Sequence, residues 1–334
     1  MQLAKRSIVV LSMCGIPVMG ACGAAPEDET APTFEDPGSV QQAATTSVIK
    51  YVFVIPMENK AASQIYGNTT NAPYINNTLI PTYARATNFN DELPSLPSEP
   101  HYLWMEAGTN AFSDHTFTGD ADPSSSNSTS STAHLVTQIK NATNGVTWRT
   151  YQEGQNSTTG SCPIASSGFY HAKHNPFVFF QDVSGNPPSK TNSYCSSHSK
   201  PYSAFATDLA SGNVASYTFI TPSQCHDMHG QTGCPNSNTI KAGDDWLKSE
   251  LPRIISWCNT HSGVIFITWD EGDSTNNLAF LAIGPGVKGG FAGSVSYNHG
   301  SIIKSAEKIL NLSILSKVSG NNELADLFKS GSYP

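Results

Sequence analysis

Charge is scarce in this 334-residue chain. Asp, Glu, Lys and Arg together make up 13% of it, and the basic residues are the scarcer, 18 against 26 acidic ones, for a formal charge of -8. That argues against a nucleic-acid partner, because gripping a phosphate backbone needs a basic surface. A small phosphorylated molecule stays open, since a bound metal supplies positive charge locally. No Cys-x-x-Cys pair occurs, which argues against a zinc–thiolate centre. The absence of a Gly-x-Ser-x-Gly elbow leaves a Ser–His–Asp hydrolase without support. Beyond Cys22 no apolar run is long enough to span a membrane, so no transmembrane span is expected in the mature chain. Aromatics are plentiful, with 15 Phe, 12 Tyr and 5 Trp, and they exclude ordinary disorder.

The ends of the chain differ in kind. Lys5 and Arg6 precede a short apolar run from Ile8 to Met19, followed by Gly20-Ala21-Cys22, which reads as a signal peptide over residues 1–22. Cys22 after two small residues also resembles a lipoprotein processing site, so a lipid anchor at Cys22 is one reading and plain secretory cleavage the other. Residues 23–47 are rich in Pro, Glu, Asp and Gln without strand or helix period, and are expected to be a tether. One folded domain is expected over 48–334. The chain is expected to be exported: secreted, periplasmic or membrane-tethered. Export permits disulfides. Cys225 and Cys234 enclose a short loop and are paired first, Cys162 with Cys195 next, leaving Cys258 free.

Strand-like and helix-like runs alternate through the body. Tyr51 to Ile55, Val146 to Tyr151, Ala215 to Ile220, Gly263 to Trp269 and Leu278 to Ile283 read as strands. Ala72 to Ala84, Ser98 to Ala107, Ala133 to Ile139, Tyr202 to Leu209, Asp244 to Trp257 and Gly300 to Leu310 read as helices. The fold class is α/β: a layered, mostly parallel sheet with helices on both faces. Two polar inserts, near 109–132 and 154–200, interrupt the alternation and are placed to shape a pocket. His115, His134, His171, His174 and His198 lie in or near them. Each reads first as a surface or packing residue, with the pocket as the other reading. The insert aromatics Phe169, Tyr170, Phe177, Phe179 and Phe180 read first as packing, with an apolar ring around the pocket as the other reading.

Open α/β sheets bind ligands beyond the carboxyl ends of their strands. Glu58-Asn59 follows the first strand, His226-Asp227-Met228-His229 follows 215–220, Asp270-Glu271 follows 263–269, and His299 opens a helix. A strand-terminal Asp taken alone is often a cap. Carboxylates and imidazoles recurring at successive strand ends can converge on one or two divalent metals.

Five segments in order carry a resemblance: Val54-Ile55-Pro56-Met57-Glu58-Asn59, Pro97-Ser98-Glu99-Pro100-His101-Tyr102, His226-Asp227-Met228-His229, Ile267-Thr268-Trp269-Asp270-Glu271-Gly272 and Asn298-His299-Gly300-Ser301. From about Tyr51 to Leu312 the chain resembles the bacterial and fungal phosphoesterases, which include acid phosphatases and phosphatidylcholine-type phospholipases C, with an alkaline phosphatase-like core. The resemblance implies Ser98 as nucleophile and Glu58, Asn59, Ser98, Asp227, His229, Asp270, Glu271 and His299 as metal ligands. It places His101 and Asn59 within reach of phosphate oxygens. Two departures stand out. Asp227 and His229 are two apart where the wider superfamily usually separates such ligands by four, and Glu271 stands where alkaline phosphatases have His. Calcium, magnesium or manganese suits the oxygen-rich end, and zinc the His-bearing end.

The implied activity is metal-dependent phosphate ester hydrolysis through a phosphoserine. Without the resemblance, Ser98 ahead of Glu99-Pro100 reads as a helix cap. An acid phosphatase acting on monoesters is expected, because the chain stops at Pro334, soon after the last core helix. The alternatives are a phospholipase C-type diesterase acting on a phospholipid headgroup and a non-catalytic phosphoester-binding surface protein.

Overall fold

The computed structural model describes residues 49–155, 160–272 and 275–334. The expected signal peptide, the Cys22 processing site and the tether lie outside the described residues. Eight strands form one sheet: β1 (Tyr51–Met57), β2 (Ala84–Asn90), β3 (Trp148–Gln152), β4 (Ser199–Pro201), β5 (Tyr217–Thr221), β6 (Gly263–Trp269), β7 (Asn277–Ile283) and β8 (Ala292–Gly293), in the order β4-β3-β5-β1-β6-β7-β2-β8. β7 pairs antiparallel with both of its neighbours, and every other pairing is parallel. The expected α/β sheet is therefore present.

Periodicity found the central strands because they are apolar throughout. All seven residues of β6 are buried, as are six of the seven in β1. Strands covered on both faces show this continuous pattern, and each large side chain withdrawn from water contributes about 1.5–3 kcal/mol. Phe53 of β1 meets Phe205 and Trp257 edge-on, tying the helices Phe205–Ser211 and Thr239–His261 to one face. The helix Thr239–His261 begins earlier than Asp244 because Asn238 caps it, accepting the Lys241 N–H at 3.1 Å. Asp244 instead accepts the N–H groups of Tyr74 and Ile75, both at 2.9 Å, and so caps a different segment.

The region read as a helix over 72–84 is one only as far as Thr82, through a wide turn at Ile75–Leu79 and a short helix at Ile80–Thr82. β2 follows at once. Its register shifts between Ala86 and Phe89, which breaks the period of two that would have revealed it. Gly284 to Gly289 spells Gly-x-Gly-x-x-Gly, but a short strand follows rather than a helix, so no helix N-terminus is there to receive a pyrophosphate.

The helix Ser98–Ala107 ends where expected. Gly108 has φ 66°, and its N–H donates to Trp104 O at 2.8 Å. A Cβ at Gly108 would come within 2.3 Å of Val318, so glycine is required twice over, by backbone and by space. Both expected disulfides, Cys162–Cys195 and Cys225–Cys234, are formed, and Cys258 is free and buried. Tyr170, Phe177, Phe179 and Phe180 are buried in the second insert, as packing residues should be, while Phe169 remains 37% exposed.

Candidate active site

Three neighbouring parallel strands, β5, β1 and β6, end at the same edge of the sheet. β1 leads into Glu58-Asn59, β6 into Asp270-Glu271, and β5 reaches Asp227 after a short turn. Backbone bonds stitch these ends together: Glu58 N–H donates to Asp227 O at 2.7 Å, and Asp270 N–H to Met57 O at 3.0 Å. Asn59 sits at φ 39°, a left-handed conformation that Asn tolerates better than most residues. Its N–H donates to Asp270 Oδ1 at 3.1 Å and its side-chain amide to Glu271 Oε1 at 3.2 Å.

Ser98 stands opposite, in the first turn of the helix Ser98–Ala107. Pro97 is the N-cap, and the Ser98 hydroxyl reaches carboxylates instead, with Oγ 3.1 Å from Glu58 Oε2 and 3.2 Å from Glu271 Oε1. Tyr102, one turn on, donates its hydroxyl to Glu58 Oε1 at 2.7 Å.

The histidines divide. His101 is buried, with Nδ1 2.8 Å from Pro97 O and Nε2 2.8 Å from Asp91 Oδ1. Both ring nitrogens are thus engaged by acceptors, and the geometry leaves no free donor for a phosphate oxygen. Burial pulls its pKa down, but the Asp91 hydrogen bond and the charges of Asp270 and Asp91 win and hold it at about 9, so the ring is a buried cation. His299 is also buried. Its Nε2 lies 2.8 Å from Trp269 O, and its Nδ1 has no partner. Burial lowers its pKa to about 4, so it is neutral.

Asp227 and His229 are not brought together. The chain turns at Met228, φ 82°, whose side chain is fully buried, leaving Asp227 buried and His229 exposed. The His229 N–H supports Asp227 Oδ1 at 2.8 Å, and its Nδ1 turns to Gly230 O.

The imidazole that does join the carboxylates is His174, from the second insert. Its Nε2 lies 3.3 Å from Glu58 Oε1 and its Nδ1 4.0 Å from Asp227 Oδ2. Burial, reinforced by the neighbouring Lys173 charge, pushes its pKa well below the usual histidine range and keeps it neutral. No sequence signal marks His174 beyond its place in a polar insert.

The carboxylates are held at high cost. Burial, then repulsion from Asp227, raises Glu58 to about 8. Burial is also the main cause that raises Asp227 and Asp270 well above the usual carboxylate range, and it raises Glu271. Three carboxyls closed to water, with half-buried Glu271 beside them, are stable only if protonated or offset by a cation.

The donor set fits a divalent metal. Glu58, His174 and Asp227 each offer a buried ligand atom, all within 4.8 Å of one another. Asn59 Oδ1, His174 Nε2, Asp227 Oδ2, Asp270 Oδ2 and His299 Nδ1 are buried without a hydrogen-bond partner, as lone pairs kept for an ion would be. Two carboxylates and a neutral imidazole suit zinc or manganese, and the oxygens of Asn59, Ser98, Asp270 and Glu271 suit a harder ion.

Comparison with known proteins gives the family and the fold. The chain is 27% identical over 272 residues to a phosphatidylinositol-3-phosphatase of Mycobacterium tuberculosis, covering 81% of this chain and 80% of the relative. It is 25% identical over 244 residues to a probable acid phosphatase of Kluyveromyces lactis, covering 69% of this chain but only 52% of the relative. Among solved structures, a phosphonate monoester hydrolase from Silicibacter pomeroyi superposes with a TM-score of 0.53 at 10% identity, over 85% of this chain and 77% of the other. A protein in the alkaline phosphatase superfamily from Vibrio parahaemolyticus gives 0.54 at 10% identity, over 83% and 70%. These two likenesses concern the fold. The sequence model of the phosphoesterase family matches residues 80–313, and with that match this chain belongs to the phosphoesterase family.

Proposed function

We propose that the chain is an exported, divalent-metal-dependent acid phosphatase that hydrolyses phosphate monoesters through a phosphoseryl intermediate on Ser98. The observation that carries this reading is the Ser98 hydroxyl, set in the first turn of a helix and directed between Glu58 and Glu271 at 3.1 and 3.2 Å. Ser98 Oγ forms the new bond to phosphorus while the ester P–O bond breaks; the serine proton passes to one of these carboxylates, and the departing oxygen takes the bond's electron pair and a proton from water to leave as the alcohol. Water then adds to phosphorus, Ser98 Oγ leaves and recovers a proton, and phosphate is released.

Glu58, His174 and Asp227 would hold a divalent cation, with Asn59, Ser98, Asp270 and Glu271 as further oxygen donors nearby; when bound it would supply positive charge that offsets an anionic substrate and lowers the pKa of a nearby hydroxyl. His299 lends its free Nδ1 to the same floor. His229 acts through its backbone, steadying Asp227. His101 acts as a fixed cation beneath the site, tied to Asp91. The two disulfides support export, since such bonds persist in oxidising compartments.

A second reading concerns the substrate's size. The named activity of the mycobacterial relative favours a monoester carried on a phospholipid headgroup over a phospholipase C-type diester. Four buried insert aromatics leave only Phe169 of that set for an apolar rim, which agrees. The test is parallel hydrolysis of p-nitrophenyl phosphate, a phosphoinositide monoester and p-nitrophenylphosphorylcholine, after chelation and after return of calcium, magnesium, manganese or zinc. Metal-restored monoester turnover that disappears in Ser98→Ala supports the proposal. Preference for the choline diester, or undiminished turnover in Ser98→Ala, overturns it.

A further inference from the structure

We propose that Lys173 positions a phosphoryl oxygen of the substrate beside Ser98, and that Asp120 is the chain's own anion in that seat, displaced when the substrate binds. The inference rests on the phosphatase reading and adds to it a residue from each polar insert.

The geometry comes from one carboxylate. Asp120 Oδ1 accepts the Glu99 N–H at 3.0 Å, the backbone amide immediately after Ser98. Asp120 Oδ2 accepts from Lys173 Nζ. A single anion therefore bridges a lysine and an N-terminal amide of the ten-residue helix that carries the proposed nucleophile. Those are the two kinds of donor that hold a phosphoryl oxygen. Lys173 directly precedes His174, so the backbone that delivers the imidazole also delivers the ammonium. Its charge acts favourably on Glu58, Asp227 and Asp270.

Access separates this pair from the buried groups. The Lys173 and Asp120 side chains are 17% and 33% exposed, whereas Glu58 and Asp227 are closed to solvent. Displacement needs no movement of the insert. The Ala121 N–H is held by Glu99 Oε2 at 2.7 Å, and Asn127 supports the same carboxylate at 3.2 and 3.3 Å. The backbone stays pinned while the Asp120 side chain rotates away. A dianionic phosphoryl group outcompetes a monoanionic carboxylate for the lysine ammonium and the N-terminal amide, at the cost of breaking the resident pair. Asp120 thus sets a ceiling on affinity for substrate and for product phosphate.

The experiment uses the full chain loaded with the cation that supports turnover, and inorganic phosphate as the probe. Phosphate affinity is read by calorimetry, KM and kcat with p-nitrophenyl phosphate, and folding by thermal melts. Lys173→Met is expected to weaken phosphate binding by roughly tenfold or more and to raise KM, with Lys173→Arg retaining most of the affinity. Asp120→Asn is expected to tighten phosphate binding severalfold and to lower KM. Weaker phosphate binding in Asp120→Asn would make Asp120 a mere support for Lys173 and overturn the proposal. So would unchanged phosphate affinity in a folded, active Lys173→Met. If Lys173→Met melts early, Asp120→Asn decides alone by the same sign. A wild-type chain that neither hydrolyses the ester nor binds phosphate sinks the phosphatase reading itself, and this inference with it.

Discussion

The ring of Tyr102 stacks on that of His174, with centroids 4.8 Å apart and planes 15° from parallel, while its hydroxyl donates to Glu58 Oε1 at 2.7 Å. One side chain on the helix that carries Ser98 thereby orients two of the three atoms best placed to hold a metal. Partners of this kind typically govern metal affinity or activity by about 10–100-fold. Tyr102→Phe keeps the stack and loses the hydrogen bond. It is expected to weaken divalent cation binding by roughly tenfold in a calorimetric titration, with little change in fold. Unchanged affinity would show that Glu58 is held well enough without it.

His174 and His229 make opposite forecasts. His174→Ala removes a buried, unpartnered imidazole nitrogen from the donor set and should lower cation affinity by at least about tenfold. His229→Ala leaves the backbone N–H that supports Asp227 and should change it by no more than about twofold. Metal content after dialysis, compared across both variants, is the measurement. The reverse ranking would mean that His229 swings inward when the metal binds.

Chelation should destabilise the fold as well as stop turnover. Binding that favours only the native state stabilises by about 2.7 kcal/mol at a hundredfold excess over Kd, roughly a 4–5 °C rise in Tm for a domain of this size. Four carboxylates with raised pKa values give the physical reason, since the ion relieves their repulsion. Differential scanning calorimetry with and without chelator checks it. Equal melting temperatures, with metal content confirmed to differ, would argue against a structural debt at these carboxylates.

Glu307 provides a pH dependence away from the site. Burial raises its pKa to about 7, and its Oε1 accepts the Leu315 N–H at 2.8 Å. The folded value lies above the unfolded one. Its contribution to stability is therefore complete below about pH 4.5 and is lost as the pH climbs through about 7. Glu307→Gln keeps an acceptor for Leu315 and removes the charge. Relative to the wild type, the variant should gain stability on the order of 2 kcal/mol between about pH 4 and pH 8.5. Urea melts at the two pH values, at fixed metal concentration, test this. A constant difference would mean that Glu307 titrates normally.

The central strands could be read from the chain because β1, β5, β6 and β7 are apolar runs, and an apolar run of that length has few other uses. Ser98–Ala107 could be read because Ser-Glu-Pro opens a helix and Gly108 closes one. β2 could not, because its bulge interrupts the alternation. The insert helices are too short to develop a period. Glu58, Asp227 and Asp270 were legible as strand-end residues, but nothing local says that their strands are neighbours.

That neighbourhood belongs to the tertiary structure. The order β5-β1-β6 puts three carboxylates, far apart in sequence, close together and buried, and burial with their mutual repulsion raises their pKa values. A left-handed turn at Met228 turns His229 outward, although the sequence places it as close to Asp227 as a ligand pair would be. Meanwhile a loop without periodicity brings in Lys173 and His174. The sequence by itself determined which residues form the sheet and which chemistry stands at its edge, because hydrophobic period and residue type are local properties. Which imidazole meets the carboxylates was decided by the packing of the second insert onto the helix Ser98–Ala107, a long-range contact that no window of sequence contains.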